Sequence, residues 1–77
     1  MFHTRTLAQR AYVDSELGVP YDLMRAGSAL ENPYVYDATA RELREMAEHG
    51  LIVIEDEHQV PDGADTLFDR LRFIRMR

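Results

Sequence analysis

His49 and His58 each stand close to a carboxylate, and any acid–base or metal chemistry in this chain would have to be built from such pairs. Glu45 and His49 are four residues apart, so on a helix they would share a face; Glu57 and His58 are adjacent. A zinc centre wants three or four converging ligands, held in turn by a second layer of hydrogen bonds. The chain has no His-x-x-x-His spacing and no cysteine, so neither a metal nor any other cofactor is expected. His49 reads instead as a helix-end residue favoured by the negative end of the helix dipole. Ser15 and Ser28 sit in no nucleophile motif, and no glycine-rich loop could cradle a phosphate. Carboxylates are plentiful. A chain of 77 residues, however, has little room for the enclosed cleft that would raise one carboxyl pKa and exclude water. Catalysis is the least expected role.

Charge is more informative. The formal total of −5 conceals a division: residues 1–41 sum to −1, residues 42–69 to −8 and residues 70–77 to +4. One interpretation is that the acidic and basic segments neutralise each other and leave a solvated acidic face, since exposed pairs add little stability. The functional interpretation is that carboxylates presented to a basic groove occupy it in place of a nucleic-acid backbone. The candidate contact residues are Glu42, Glu45 and Glu48, which share one flank of a helix at i, i+3, i+6, together with Glu55, Asp56 and Glu57. Tyr34 and Tyr36 join them, because tyrosine offers a large contact area with a polar tip. If Val35 points inward on a strand, both phenols face out.

Length and composition bound the rest. Seventy-seven residues make a single domain, 1–77, and the 45% of apolar residues can supply a core without disulfides. The longest aliphatic run, Leu51 to Ile54, falls far short of a membrane span, and Met1 to Thr6 does not read as a secretory signal. A cytoplasmic protein is expected.

The elements that must position these residues follow from periodicity and punctuation. Leu7, Ala8, Ala11 and Tyr12 mark one face of a helix within Thr4 to Leu17, with Thr4 or Thr6 as N-cap and Gly18 as stop. Pro20 fits the first turn of a second helix carrying Leu23, Met24 and Ala26, ending at Gly27 or Leu30. Asn32-Pro33 breaks the chain, and Tyr34 to Tyr36 reads as a short strand or extended linker. A third helix follows, capped by Asp37 or Thr39 with Thr39-x-x-Glu42 as capping box. Its buried stripe is Ala40, Leu43, Met46 and Ala47, and Gly50 is its left-handed stop. Leu51 to Glu55 reads as a strand that turns at Pro61-Asp62-Gly63. Residues 66–77 suit helix or strand. A hairpin is favoured because it sets Ile52 opposite Phe73, Ile54 opposite Leu71 and Glu55 opposite Arg70, with a slip between Phe73 and Ile74. The expected fold class is α+β: three helices with a C-terminal antiparallel β-hairpin.

The third helix closing in Glu48-His49-Gly50-Leu51-Ile52 before a hairpin resembles the last helix and wing of winged-helix proteins. Leu17-Gly18-Val19-Pro20 followed by Leu23-Met24 resembles the turn of a helix-turn-helix. That resemblance implies DNA binding, yet residues 42–69 hold nine acidic residues and one arginine, so direct nucleic-acid binding is not expected. In size, acidity and lack of cysteine and catalytic motifs the chain is similar to small phage-encoded inhibitors, anti-CRISPR proteins among them. The expected function is a non-catalytic regulator or inhibitor whose acidic face occludes a basic protein surface, such as that of a nucleic-acid-binding complex. The alternative is a winged-helix-like transcriptional regulator bringing Arg41, Arg44 and the C-terminal arginines to DNA. A third is a structural subunit of a larger complex. Monomer and homodimer both stay open, with Phe2, the tyrosines or the last strand as interface.

Overall fold

The elements run α1 (Leu7–Asp14), β1 (Pro20–Asp22), a 3-10 turn (Ala29–Glu31), α2 (Pro33–Glu48), β2 (Ile52–Asp62) and β3 (Asp65–Arg75). This computed structural model describes residues 5–24 and 29–77; Phe2, Thr4, Ala26, Gly27 and Ser28, named above, lie outside the described residues. The class is α+β, but three helices followed by a hairpin is not the arrangement. Two α-helices pack on one side of a three-stranded antiparallel sheet in the order β1-β3-β2.

Both helices start where side chains satisfy their free amides. Thr6 and Gln9 form a reciprocal capping box on α1, with Thr6 Oγ1 accepting from the Gln9 amide at 3.1 Å and Gln9 Oε1 from the Thr6 amide at 2.9 Å. This helix ends at Ser15, short of Gly18, which instead takes a positive φ of 76° and donates its amide to the Arg75 carbonyl of β3. Asn32-Pro33, expected to break the chain, begins α2. The Asn32 side chain accepts from the Tyr34 and Val35 amides, and proline occupies a position whose amide would have no partner anyway. Tyr34 to Tyr36 is therefore helix, not strand, and Asp37 and Thr39 are not caps. Thr39 donates its hydroxyl to the Val35 carbonyl one turn back. Gly50, with φ 75°, does end α2 region as expected.

The expected second helix is also absent at its start. Pro20–Asp22 pairs antiparallel with β3, setting Tyr21 opposite Phe73 with ring centroids 5.3 Å apart. The hairpin exists, but its register differs by two residues, with Ile54 opposite Phe73 and Ile52 opposite Arg75. The cause lies in the turn. Pro61 and Asp62 remain in β2, a position an edge strand tolerates, and the loop is Gly63-Ala64 alone, with φ 63° at Gly63. Irregularities fall between Ile54 and Asp56 and between His58 and Gln59, rather than at Phe73–Ile74.

The core lies between the helices and the inner sheet face. Phe68, Leu71 and Phe73 of β3, Ile52 of β2, and Tyr36, Ala40 and Leu43 of α2 are essentially solvent-free, with Ala8 and Ala11 of α1 beside them. Met46 and Ala47 of the expected stripe are only half-buried. β3 has a problem that hydrophobic packing does not solve. Its partner β1 is three residues long, so the backbone groups of β3 before Arg72 have no strand on that side. α2 supplies the missing partners. The Leu71 amide donates to the Tyr36 hydroxyl at 3.0 Å, the Phe68 amide to Asp37 Oδ1 at 2.9 Å, and Arg41 Nη2 donates to the Thr66 carbonyl at 3.1 Å. The Tyr36 hydroxyl in turn donates to the Leu23 carbonyl at 2.7 Å. No helix among the described residues is long and apolar enough to cross a membrane.

Tyr36→Phe keeps the ring in the core but leaves the Leu71 amide and the Leu23 carbonyl without this partner. It should lower the unfolding free energy by about 2 kcal/mol in a urea titration with unchanged slope. An unchanged midpoint would show that the hydroxyl does not hold the sheet to the helix.

Candidate functional site

α2 and the hairpin carry every carboxylate singled out by sequence, and the sheet divides them between its two sides. Residues opposite one another in the register share a face. Glu57 lies opposite the buried Leu71 and pairs with Arg44 of α2 at 3.5 Å, so it belongs to the helical side. Asp56 lies opposite Arg72 on the other, outer face. It pairs with Arg70 at 2.8 Å, and Glu55 pairs with Arg72 at 3.6 Å on that same face. The six acidic candidates therefore do not form one continuous surface.

On α2 itself the three glutamates differ. Glu42 turns toward α1 and accepts from the Thr6 hydroxyl at 2.6 Å. Glu45 and Glu48 point into solvent and form no ion pair among the described residues. They also sit in the last turn, where the helix carbonyls present negative charge and which holds no basic residue of its own, although Arg41 and Arg44 line the same groove one turn back. Helical spacing places them on one outer ridge with Tyr34, Ala38 and Arg41. Tyr34 is 61% exposed at the start of this ridge, whereas Tyr36, two residues on and about 200° around the helix, is buried. Of the two phenols, only Tyr34 is presented to a partner.

The arginines are largely engaged. Arg41 pairs with Asp37 at 2.9 Å, which raises the guanidinium pKa above its ordinary value, first through the hydrogen bond and then through the carboxylate charge. Arg41 and Arg44 both lie over the Phe68 ring, at 5.3 and 5.4 Å from its centroid. Arg72 pairs with Asp22 at 2.7 Å. Arg75 stacks on Tyr12 at 4.5 Å and donates to the carbonyls of Tyr12, Ser15 and Arg77. Of the arginines that a DNA-binding role would use, Arg41, Arg44, Arg70, Arg72 and Arg75 are bound to groups of the protein itself, whereas the Arg77 guanidinium forms no ion pair among the described residues.

Ser15 donates its hydroxyl to the Tyr12 carbonyl, and His58 Nδ1 meets Asp69 Oδ1 at 2.7 Å on the exposed hairpin. No group of three or more histidine, aspartate or glutamate side chains is disposed to hold a metal among the described residues. The hollows are shallow surface grooves. One of about 390 Å³ runs between α1 and α2 beside Tyr34, Val35 and Glu42, and one of about 320 Å³ lies beside Glu45 and Glu48. Neither encloses a volume that would shut water out.

Sequence reasoning missed Asp22 and Asp69. Asp22 escaped notice because Pro20 was read as a helix start, and three residues of strand carry no period of their own. Asp69 was counted as charge, but its pairing with His58 depends on a bulge. No family model, curated protein or solved structure matches this chain.

The Asp22 carboxyl is held below its ordinary pKa of 3.8, chiefly by the hydrogen bond from Arg72; slight desolvation opposes this and the Arg72 charge adds to it. Folding therefore favours the ionised form. This contribution is complete above pH 3.8 and fades as the pH falls through the lowered folded value. Asp22→Asn should be less stable than the parent chain at pH 7, by a small margin that shrinks with salt and closes in acid. A difference that persisted in acid would mean that packing, rather than charge, is lost.

Proposed function

We propose that this chain is a non-catalytic protein-binding module, a regulator or inhibitor, whose acidic helix α2 occludes a basic protein surface. One observation carries the proposal. Glu45 and Glu48 stand exposed, with no ion pair among the described residues, at the helix end that disfavours negative charge, while Glu55, Asp56 and Glu57 are each matched with an arginine. A residue choice that works against its own helix is retained where something other than stability selects it. Tyr34, on the same ridge, adds an amphipathic contact some three turns away.

The mechanism is steric and electrostatic. Two exposed carboxylates on a helix, without an ion pair among the described residues, attract guanidinium and ammonium groups over roughly a Debye length, about 8 Å at physiological salt. Seated there, the domain blocks whatever the basic surface otherwise holds, and no turnover is involved. The fitting target is a cytoplasmic protein with a groove for nucleic acid, the mode of action of the small phage-encoded inhibitors that the chain resembles in size and composition.

The paired substitution Glu45→Gln, Glu48→Gln should move two quantities in opposite directions. Removing negative charge from the helix end should raise the unfolding free energy by on the order of 0.5 kcal/mol. Capture from a lysate of the source organism, eluted by a salt gradient, should recover a basic nucleic-acid-binding protein with the parent chain, and much less of it with the variant. Nucleic acid recovered without a protein intermediary, or binding indifferent to salt, would contradict the proposal.

A further inference from the structure

The outer face of the sheet carries its own pattern, and both irregularities of the hairpin contribute to it. Side chains of a regular strand alternate between faces, but a bulge adds one residue and turns it to the side of its neighbour. The extra residue between Ile54 and Asp56 is Glu55, and the extra residue opposite the His58–Gln59 step is Asp69. Both are carboxylates, and both land on the outer face. Glu55 joins Asp56 there and reaches Arg72, while Asp69 joins Arg70 and reaches His58. With Asp22 of β1, a band of charge crosses all three strands: four carboxylates against Arg70 and Arg72. With His58 taken as neutral, the formal excess is two negative charges.

Apolar residues flank this band on the same face. At one end the register aligns Pro20, Ile74 and Val53 across the three strands, and Val53 is 49% exposed. Met76, whose amide bonds the Leu51 carbonyl, lies beside this row at 53% exposure. At the other end Val60 lies opposite Leu67. Seven residues of strand separate Val53 from Val60, roughly 20 Å. Both helices pack on the inner face, so none of these residues is covered by another element among the described residues.

We infer that the outer sheet face is a second docking surface, built for a basic polypeptide that carries arginine or lysine between two aliphatic side chains. The net negative band selects that occupant and disfavours a second copy, which would set like bands against each other. Its carboxylates are already paired, three with arginines and Asp69 with His58, so covering them forfeits less hydration than covering free ions, and the apolar ends supply the anchors. This surface lies on the opposite side of the sheet from the α2 ridge and does not depend on it.

The test uses the full chain, labelled with ¹⁵N, and a short blocked peptide with leucine and valine at both ends and arginines between. Two control peptides replace the arginines by glutamates or the aliphatic residues by serines. Amide shifts should move at Val53, Asp56, Val60, Leu67, Arg72 and Ile74, with affinity about tenfold weaker for either control, a loss near 1.4 kcal/mol. In the doubly substituted Val53→Thr, Ile74→Thr chain the shifts should fall by a similar factor while the spectrum stays dispersed. Movement confined to Tyr34, Glu45 and Glu48 would overturn this inference and leave the α2 proposal standing. Equal binding of the serine control would also overturn it, as would shifts on the sheet face that grow with protein concentration alone, the signature of a second copy. No binding to either surface would count against both.

Discussion

A central strand with too short a neighbour governs this structure. β3 runs eleven residues but β1 accompanies it for only three, and a buried amide or carbonyl without a partner costs on the order of 1–3 kcal/mol. The fold resolves this by bringing α2 alongside, so that Tyr36, Asp37 and Arg41 bond the backbone that β1 leaves open. The rotational setting of α2 follows from that requirement. Once Tyr36 and Asp37 face β3, Ala40 and Leu43 fall into the core, and Tyr34, Glu45 and Glu48 are turned outward. The surface available to a partner is thus set by a backbone hydrogen-bonding need on the opposite side of the same helix.

The charge division takes a different meaning once folded. Three of the four arginines of the basic tail lie in β3, four of the nine carboxylates of the acidic stretch lie in β2, and antiparallel pairing sets one strand against the other. Much of the imbalance along the chain therefore cancels across the hairpin. Among the described residues Glu45 and Glu48 on α2, Asp14 and Glu16 by α1, and Asp62 and Asp65 at the hairpin turn form no ion pair, and the outer sheet band keeps a small excess. The two bulges matter because strict alternation would have sent one residue of Glu55-Asp56 and one of Asp69-Arg70 to the inner face. Both proposed surfaces are the residue of this cancellation, one on each side of the molecule.

How much of this could be read from sequence follows from whether each feature is set locally. The hairpin was legible because Leu51 to Ile54 is a short apolar run, Leu71 and Phe73 alternate with Arg70 and Arg72, and Gly63 permits the turn. The amphipathic stripe of the long helix was legible through Ala40 and Leu43. Its start was not, because Asn32-Pro33 serves equally as a breaker or as cap and first residue, and only the following contacts decide. β1 was illegible since nothing in Pro20-Tyr21-Asp22 favours a strand; the open edge of β3, fifty residues away, selects it. Tyr36 was misplaced for the same reason: its role is to answer Leu71 and Leu23, both distant in sequence. Of the candidate contact residues, Tyr34, Glu45, Glu48, Glu55, Asp56 and Glu57 emerge exposed, whereas which carboxylates an arginine would claim depended on a register that slips at two bulges.

Native-state hydrogen exchange at the Phe68 and Leu71 amides measures the central constraint directly. Both are bonded only to side chains of α2 on the side where β1 is missing. If α2 closes the sheet, they should exchange as slowly as the β2–β3 ladder amides, through global unfolding alone. Exchange at the rate of exposed loop amides would show that α2 opens from β3 on its own, and the rotational setting that defines its outer ridge would lose its physical basis.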